Sequence, residues 1–434
     1  MNFFVNNGKE GKMKNKCDVS LLLILAMFLL GTFIAFAGNI HVSSIMSHYS
    51  YNVLVILIVM ELFTNLIAET GIMQLLAVKI AELSKGQKRH CLMLFGIMMF
   101  FISAFLNNIT AVMMILPIVI VLLKSLDVDK RYVSVFFAVI LALSNTGGAA
   151  SPIGDFPAIV IMTSGITNFI NYLIRAMPLF LLTSVALIAL WGTVAKFDDG
   201  DKSIRKLAVL NLKSQYKNIR VRYDILKKLA IVFAGMFLAW SFIPQDILPP
   251  EVIAGLGYAI AMTLCSTKGI RVLQKMDLKP ALTIASFLFF AEVISQTGLL
   301  RQIAEYLQEN VTNPKMLVIS IMLITAIASG VFSAGPAAAA MMPIVVNICE
   351  GPLKAQANWV AVAYAAAICA GSSLFMWSAT AGFILSGKVN EAGIQGTEGE
   401  KNSIQWGSRQ YWKYGFINFT VQLLIAIVVT ALSL

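Results

Sequence analysis

The amino-acid sequence predicts an all-α polytopic membrane protein of roughly 10–12 transmembrane helices in two inverted repeats, with re-entrant hairpins and broken helices. Three observations predict this class: an apolar composition, apolar segments of membrane length and an internal repeat. Of 434 residues, 58% are hydrophobic and 13% are charged, whereas a soluble domain has about 25% charged residues. This composition excludes a water-soluble enzyme and a nucleic-acid-binding protein, so the net charge of +11 is attributed to membrane topology.

Apolar runs of about 20 residues cross a bilayer as helices. Such runs lie at 20–38, 51–68, 91–106, 172–195, 226–243, 281–299, 315–332 and 414–433. Shorter or Gly- and Pro-interrupted apolar pieces lie near 108–123, 132–164, 252–266 and 334–387. The first run resembles a signal peptide because Ala35-Phe36-Ala37 looks like a cleavage site. Its length exceeds the usual apolar region of about 7–15 residues, so we expect a retained first helix.

The distribution of Lys and Arg predicts the orientation in the inner (cytoplasmic) membrane. Lys9, Lys12, Lys14 and Lys16 predict a cytoplasmic N-terminus. Basic residues cluster again in three segments that are predicted to be cytoplasmic, at 79–89, 196–228 and 268–279. The segments 38–52 and 241–251 contain no Lys or Arg and are predicted to lie outside.

Three motifs recur in the same order with an offset near 225 residues. Segment 69–74 recurs at 296–301, 105–119 at 331–345, and the small-residue run 147–151 at 371–373. The loop charges place the start of the first copy outside and that of the second inside, so the repeats are inverted. Inverted repeats with interrupted helices indicate a secondary transporter whose site lies between the halves, near the bilayer midplane.

The repeat predicts four segments of the chain. These are an N-terminal tail and first span at 1–50, repeat one at 51–195, a basic linker with two connecting spans at 196–280, and repeat two at 281–434.

The segment 144–157 contains three glycines and two prolines and is predicted to interrupt a helix. Interrupted backbone at membrane depth persists only where it is buried in protein or lines a wet cavity. The alternative is a proline kink whose backbone groups are satisfied by Ser and Thr. The predicted substrate- and ion-binding residues are Asn107, Asn108, Thr110, Ser144, Asn145, Thr146, Gly147, Gly148, Ser151, Asp155, Ser333, Gly371, Ser372, Ser373, Ser378 and Thr380.

Acidic residues within spans are the candidates for cation or proton coupling. A carboxylate at mid-bilayer costs about 2.5–3.5 kcal/mol and is normally functional, which favours Asp155; this residue can also cap the following half-helix. Glu61 and Glu292 are further candidates, with a hydrogen-bonded structural acid as the alternative for each. Arg175 is expected to be an interfacial anchor, and a substrate-facing cation is the alternative. The scattered cysteines and histidines predict no metal site, and no cofactor is expected beyond the coupling sodium or proton.

Residues 145–155 read Asn-Thr-Gly-Gly-Ala-Ala-Ser-Pro-Ile-Gly-Asp. This run resembles the Asn-Ala-Gly-Gly-x-x-Ser-Pro-x-Gly-Asp motif of NhaD-type sodium/proton antiporters, and 369–373 with 378–382 resemble its second-half counterpart. The chain is therefore similar, over about 51–390, to the ion transporter superfamily, which includes citrate transporters, arsenite efflux permeases and divalent anion/sodium symporters. The resemblance implies paired re-entrant hairpins, an elevator or rocking motion, and an assembly that is often a homodimer.

Departures from the antiporter motif decide the predicted function. Asn107-Asn108 stand where those antiporters have Asp-Asn, and Ser333-Ala334 stand at the second-half position, so two expected carboxylates are missing. The neutral tips are closer to the Ser-Asn-Thr motifs of anion/sodium symporters, although the second half lacks that Asn and Thr. The favoured function is secondary transport of a small carboxylate or oxyanion coupled to sodium or protons.

Two alternatives to this function remain open. One is an NhaD-type sodium/proton antiporter, and the other is a passive channel or non-transporting membrane scaffold. The sequence contains no H-E-x-x-H, G-x-S-x-G or P-loop motif, so an enzyme is not expected.

Overall fold

A computed structural model describes residues 19–195, 197–265, 279–396 and 403–434. Within these ranges the regular secondary structure is helical, which confirms the predicted all-α class. The basic N-terminal tail and the basic loop containing Lys268, Arg271 and Lys275, both used to predict orientation, lie outside the described residues.

The described residues form nineteen α-helices and one short 3-10 helix. Before and within the first half these are α1 (Val19–Ala37), α2 (Val42–His48), α3 (Tyr51–Ala68), α4 (Ile72–Ser84), α5 (Lys88–Ser103), α6 (Asn108–Ser125), α7 (Lys130–Ala150), α8 (Phe156–Thr163) and α9 (Phe169–Val194). The connecting helices are α10 (Lys202–Gln215), α11 (Tyr223–Phe242) and α12 (Pro250–Cys265). The second half contains α13 (Lys279–Gln296), α14 (Leu299–Asn310), α15 (Pro314–Phe332), α16 (Ala334–Glu350), the 3-10 helix (Lys354–Gln356), α17 (Ala357–Ser372), α18 (Gly382–Ala392) and α19 (Ser408–Ser433).

The internal repeat extends over seven helices, because α3 to α9 correspond in order to α13 to α19. The turn after the first helix of each copy is built identically. Gly71 has φ of 80° and Gly298 has φ of 77°, a conformation that residues with a Cβ rarely adopt. The preceding residues, Thr70 and Thr297, each donate the side-chain hydroxyl to a carbonyl three residues earlier at 2.6 Å. The repeated Thr-Gly motif is therefore a helix-bending turn.

Each half contains one hairpin with a tight tip and one interrupted helix. The first hairpin joins α5 to α6 through residues 104–107, and the second joins α15 to α16 through Ser333. The interrupted helices are α7 with α8 and α17 with α18. The first interruption is shorter than the predicted 144–157, because the helix continues to Ala150 and breaks only over 151–155. Gly147 and Gly148 lie within this helix, where the lack of a side chain permits close contact with neighbouring residues.

The number of membrane-length helices depends on how bent pairs are counted. Seven described helices are long and apolar enough to cross a bilayer, or nine if each of two bent pairs is one span. The pair Ala281–Gln296 and Leu299–Asn310 is bent by 65°, and the pair Ala334–Glu350 and Lys354–Ser372 by 116°. Two shorter apolar helices, Ile24–Ala37 and Pro250–Cys265, complete the set among the described residues. Helix α5, predicted as a span, ends at a hairpin tip.

The two halves interlock through their half-helices. After the first interruption, α8 packs against α16 and α17 of the second half. After the second interruption, α18 packs against α6 of the first half. Helix α7 lies at the centre, since its most apolar 18-residue window is 100% buried, whereas that of α19 is 33% buried. This exchange places each half-helix beside a helix of the opposite half's hairpin.

Candidate functional site

In the first half, the tip of the α5–α6 hairpin contacts the interruption between α7 and α8. The Ser151 hydroxyl donates to the Ala104 carbonyl at the tip. The preceding residue, Ser103, donates its hydroxyl to the Ser144 hydroxyl at 3.3 Å. A Cβ atom added at Gly154 would lie 2.7 Å from the Ser103 carbonyl oxygen, so only glycine permits this approach. The tip and the interruption therefore form one unit.

Asp155 is the charged group of this unit. Its Oδ1 accepts from the Phe156 N–H at 2.9 Å and so caps α8, as an N-cap carboxylate does. Its Oδ2 accepts from Asn108 Nδ2 at the hairpin tip, also at 2.9 Å. Asn107 caps α6 in turn, with its Oδ1 accepting from the N–H groups of Ile109 and Thr110 at 3.0 and 3.3 Å. The capping role and a coupling role for Asp155 are compatible, since a carboxylate has about four lone-pair sites.

The second half repeats these contacts at equivalent positions. The Ser378 hydroxyl donates to the Gly330 carbonyl, as Ser151 does to Ala104. The Ser329 hydroxyl, the counterpart of Ser103, donates to the Ile368 carbonyl at 2.8 Å. Each hairpin tip therefore packs against the interruption in its own half, and the geometry is similar in the two halves.

Ser333 occupies the second tip in an unusual backbone conformation, with φ of 84° and ψ of 157°. Residues other than glycine in such regions carry about 1–3 kcal/mol of strain and cluster at functional sites. The Ser378 carbonyl holds it there, accepting from the Ser333 hydroxyl at 2.9 Å and from the Ala334 N–H at 3.2 Å. The strain supports a functional role for this tip.

The two interruptions meet at the interface between the halves. Asn145 Nδ2 donates to the Ser372 carbonyl at 3.4 Å. A cavity with about 10 Å³ of room for water is bounded by Asn145 and Asp155 on one side and by Ala334, Cys369 and Ser372 on the other. The interruptions therefore face each other inside the protein, as the transporter hypothesis requires.

A second cavity extends from Asp155 and has about 40 Å³ of room for water. Asn107, Asn108 and Asp155 line it from the first half and Thr380 lines it from the second. A buried water needs about 10–15 Å³ on this measure, so the space fits a small ion with a water or two.

Two residues that line this cavity each have a side-chain oxygen with no hydrogen-bond partner within the described part of the chain. These oxygens are Asn108 Oδ1 and Thr380 Oγ1, both buried. Leaving such a group unsatisfied costs about 1–3 kcal/mol, so each is a reason to expect a bound ion or water. With the Asp155 carboxylate, they provide oxygen ligands from both halves, the donor type that hard cations prefer. Among the described residues, neither cavity is lined by Lys, Arg or His.

Helix ends supply the remaining electrostatics. The N-termini of α6, α8 and α16 reach the cavities at Asn108, Phe156 and Ala334, and a helix N-terminus favours anions. The C-terminus of α17 presents the Ser372 carbonyl, and unwound C-terminal carbonyls favour cations. The site thus offers attraction to charges of either sign without a basic side chain.

Other predicted residues act as support around the cavities. The Thr146 hydroxyl contacts the Ser184 hydroxyl on α9 at 2.9 Å. Gly147 and Gly371 lie in their helices, where an added Cβ would collide with the carbonyls of Phe100 and Ala326 respectively. The predicted substrate- and ion-binding residues that line neither cavity in the described structure are Thr110, Ser144, Thr146, Gly147, Gly148, Ser151, Ser333, Gly371, Ser373 and Ser378.

Glu61, Glu292 and Arg175 are not among the residues that line the two cavities. Glu61 is buried on α3. Glu292 accepts from Gln296 Nε2 at 2.8 Å on its own helix. Arg175 donates to the Asn171 carbonyl at 3.0 Å, and its guanidinium lies 5.8 Å from the centre of the Trp359 ring. Coupling through either glutamate stays a prediction.

Two tyrosines that were not among the predicted site residues secure the interrupted helices. The Tyr172 hydroxyl donates to the Ala149 carbonyl at 2.7 Å, and the Tyr411 hydroxyl donates to the Ser373 carbonyl at 2.8 Å. These carbonyls lie at the ends of α7 and α17, where helix geometry leaves acceptors unsatisfied. The only available signal was that both tyrosines fall near the start of the last helix of each repeat.

Comparisons with known proteins agree with this architecture. A family model described as Citrate transporter, CitMHS, matches residues 14–369. An uncharacterized transporter of Mycobacterium tuberculosis strain H37Rv is 25% identical over 351 residues, covering 79% of both chains. A 46 kDa membrane protein of Mycobacterium leprae is 24% identical over 296 residues, covering 68% of both.

A solved structure shows the same fold at low sequence identity. The crystal structure of the Alcanivorax borkumensis YdaH transporter matches with a TM-score of 0.51 and 14% identity, over 95% of this chain and 97% of that one. At this identity the likeness concerns the fold alone, and it confirms the polytopic helical class. Since the family model spans most of the chain, the predicted relationship to the ion transporter superfamily is confirmed, and the chain is a membrane transporter that belongs to the citrate transporter (CitMHS) family.

Proposed function

We propose that this protein is a secondary active transporter of a small anion, a carboxylate or an oxyanion, and that it couples anion movement to sodium or protons at Asp155. The observation that carries the proposal is the shared cavity. There, Asp155 lies with two buried oxygens that lack partners among the described residues, Asn108 Oδ1 from one half and Thr380 Oγ1 from the other. A cation bound by these three groups would join the halves in one conformation.

The anion would bind where helix N-termini converge. Asn108, Phe156 and Ala334 begin α6, α8 and α16, and the positive ends of these three helix dipoles would attract a carboxylate or oxyanion. Without a basic side chain in the walls, a bound cation would supply the countercharge. This arrangement makes anion binding depend on the coupling ion, which is the requirement for symport.

The test uses the purified protein reconstituted in liposomes. Uptake of labelled di- and tricarboxylates and of oxyanions is measured with and without a sodium gradient and with a proton gradient alone. Asp155→Asn is expected to abolish gradient-driven accumulation. Asp246→Asn, which changes an exposed carboxylate in the α11–α12 loop, is the matched control and retains it. Absence of gradient-dependent flux of every anion for the unaltered protein would contradict the proposal.

Thr380 allows a sharper test of the coupling site. Thr380→Val removes the unsatisfied oxygen with nearly the same shape, whereas Thr380→Ser keeps it. We expect the valine variant to require at least about tenfold more coupling ion for half-maximal uptake, because a lost hydrogen bond or ligand to a charged group is worth about 1.5–3 kcal/mol. Equal dependence in the two variants would remove Thr380 from the site.

Sodium/proton antiport is the second candidate. It is favoured by the cavity itself, whose described walls contain oxygen ligands and no basic side chain, in a space of about 40 Å³ that suits a small ion. Everted membrane vesicles test it, since sodium addition would change the luminal pH, and Asp155→Asn would remove the response. Vesicles with the unaltered protein that show no sodium-induced pH change would exclude antiport.

Orientation and assembly complete the proposal. The loop charges support a multi-pass inner-membrane protein with a cytoplasmic N-terminus, testable by labelling of single cysteines introduced at Ser44 and Ser214. The homodimer implied by the superfamily resemblance is testable by the mass of the detergent-solubilised protein measured by light scattering.

A further inference from the structure

A wide groove lies at one end of the bundle, between the first turns of α7 and α19, and has about 670 Å³ of room for water. Lys130 and Arg131 line it from α7, and Arg409 and Lys413 line it from α19. The groove therefore spans the first and second halves. The loop charges predict that both helices begin on the cytoplasmic side, where isolated basic residues are expected; the convergence of four of them in one groove is a separate feature.

These four basic side chains have no ion pair within the described ranges. Lys413 Nζ lies 5.0 Å from the centre of the Tyr414 ring, which leaves its charge uncompensated by an acid. The neighbouring Asp129 carboxylate is engaged in capping α7, where it accepts from the Tyr132 N–H at 3.1 Å. Asp129 keeps its negative charge but does not line the groove, whose four basic side chains therefore give its lining a net positive charge.

The start of α19 adds backbone donors to this charge. Its N-cap residue is Gly407, which provides no side-chain cap. The first N–H groups of a helix lack intrahelical partners and favour an anion such as phosphate. Arginine adds the planar pair of donors that matches phosphate oxygens.

An exposed apolar stripe runs from the groove along α19. Trp412 and Phe416 lie one turn apart beside the groove and are 56% and 54% exposed. After Thr420, the same row of residues four apart continues, inclined to the helix axis, through Leu424, Val428 and Leu432, which are 57%, 55% and 82% exposed. Tryptophan beside basic residues is typical of the membrane–water interface. A positive groove that continues into an apolar stripe matches the two parts of a phospholipid.

We propose that this groove binds an anionic phospholipid, with the headgroup phosphate between the basic side chains of α7 and α19 and the acyl chains along the stripe of α19. Basic pockets between transmembrane helices on the cytoplasmic side are suited to such headgroups. The stripe favours a lipid over a free phosphate compound, because only a lipid occupies both surfaces. The bound lipid would link the two halves at a position remote from the ion cavities.

The test measures ligand-dependent thermal stabilisation of the detergent-purified full chain. The ligands are short-chain dioctanoyl phosphatidylglycerol, dioctanoyl phosphatidylcholine and glycerol 3-phosphate. We expect stabilisation by phosphatidylglycerol alone. The double variant R409Q/K413Q is expected to weaken the apparent affinity for phosphatidylglycerol at least about tenfold. K130Q/R131Q, which removes the same charge from the other wall, gives the same loss.

The control variant is K217Q/K227Q, which removes two exposed lysines outside the groove and keeps the wild-type affinity. Equal stabilisation by phosphatidylcholine, equal stabilisation by glycerol 3-phosphate, or an equal loss in the control variant overturns the proposal. Unchanged affinity in the groove variants also overturns it. Because the two double variants change opposite walls of the groove, the test remains decisive if one of them fails to fold. The measurement does not require transport activity.

Discussion

Replacing Gly154 with alanine tests whether the first hairpin tip and the first interruption are packed against each other as a unit. The added Cβ would lie 2.6 Å from the Gly148 carbonyl oxygen and 2.7 Å from the Ser103 carbonyl oxygen. Carbon atoms prefer separations of about 3.5–4.0 Å. Both obstacles are backbone atoms that cannot rotate away, so the tip must move outward by more than half an ångström.

The energetic cost follows from this displacement. Overpacking of a well-packed interior costs about 1–3 kcal/mol, and rigid backbone obstacles place Gly154→Ala at the upper end, about 3 kcal/mol. At roughly 2 °C for each kcal/mol in a large domain, the unfolding temperature is expected to fall by about 6 °C. Asp155 is the next residue, so its distance from Asn108 changes too, and transport falls in the same variant.

The assay is thermal unfolding of the purified protein in one detergent, with transport measured in liposomes. Gly255→Ala is the matched control, because an added Cβ there has nothing within 4 Å and alanine favours a helix over glycine by up to about 1 kcal/mol. We expect the control to unfold at the wild-type temperature or slightly above. The packing argument would be refuted by a Gly154→Ala protein as stable as the control.

Four further substitutions are expected to distinguish residues that stabilise the site from a residue on the surface. Tyr172→Phe and Tyr411→Phe each leave a helix-end carbonyl without its donor, and each is expected to lower the unfolding free energy by about 1–3 kcal/mol, seen as a lower unfolding temperature with the ion dependence of uptake unchanged. Asn418→Leu removes the acceptor of the buried Trp191 N–H at 2.8 Å and is expected to cost a similar amount, measured in the same way. Lys213→Ala breaks a half-exposed ion pair of 3.1 Å and is expected to change stability by less than about 1 kcal/mol; a larger loss would show that the linker helix supports the fold.

The repeat was predictable from sequence because its markers depend on local chemistry. The Thr-Gly turns at Gly71 and Gly298 need a residue that tolerates positive φ. Glycine meets this requirement, so both turns can be recognised from the sequence alone. Asn107 and Asp155 similarly carry the side-chain oxygens that begin helices. Such signals depend on a few neighbouring residues, so they mark the hairpin tip and the half-helix without tertiary information.

The extent of the first interruption was predicted wrongly, and the reason is physical. Glycine serves two different needs, positive φ and close approach of another backbone. Gly147 and Gly148 lie in the regular part of α7, where an added Cβ would collide with the backbone of Phe100 and with the side chains of Asn108 and Asp155 respectively. The sequence does not say which backbone approaches a glycine, so a run of glycines was read as broken helix.

The composition of the cavity was also beyond sequence reasoning. Asn108 and Thr380 were both candidates among many hydroxyl and amide residues. Only the packing of α18 against α6 brings the two buried, unsatisfied oxygens into one cavity with Asp155. Contacts between positions more than 270 residues apart depend on how the halves interlock, and no local pattern encodes that arrangement.

The two halves share a scaffold but differ in the groups that face the cavities. The equivalence of Ser151 and Ser378 makes Gly382 the counterpart of Asp155, and the hairpin tips pair Asn108 with Ala334. The contacts that hold tip to interruption are thus kept in both copies, whereas the carboxylate and the amide occur once. Among the described residues, Asp155 is therefore the one carboxylate that lines the two cavities. Because Thr380 comes from the opposite half, the cation site proposed above would need both halves, and a change in their relative position would separate its ligands.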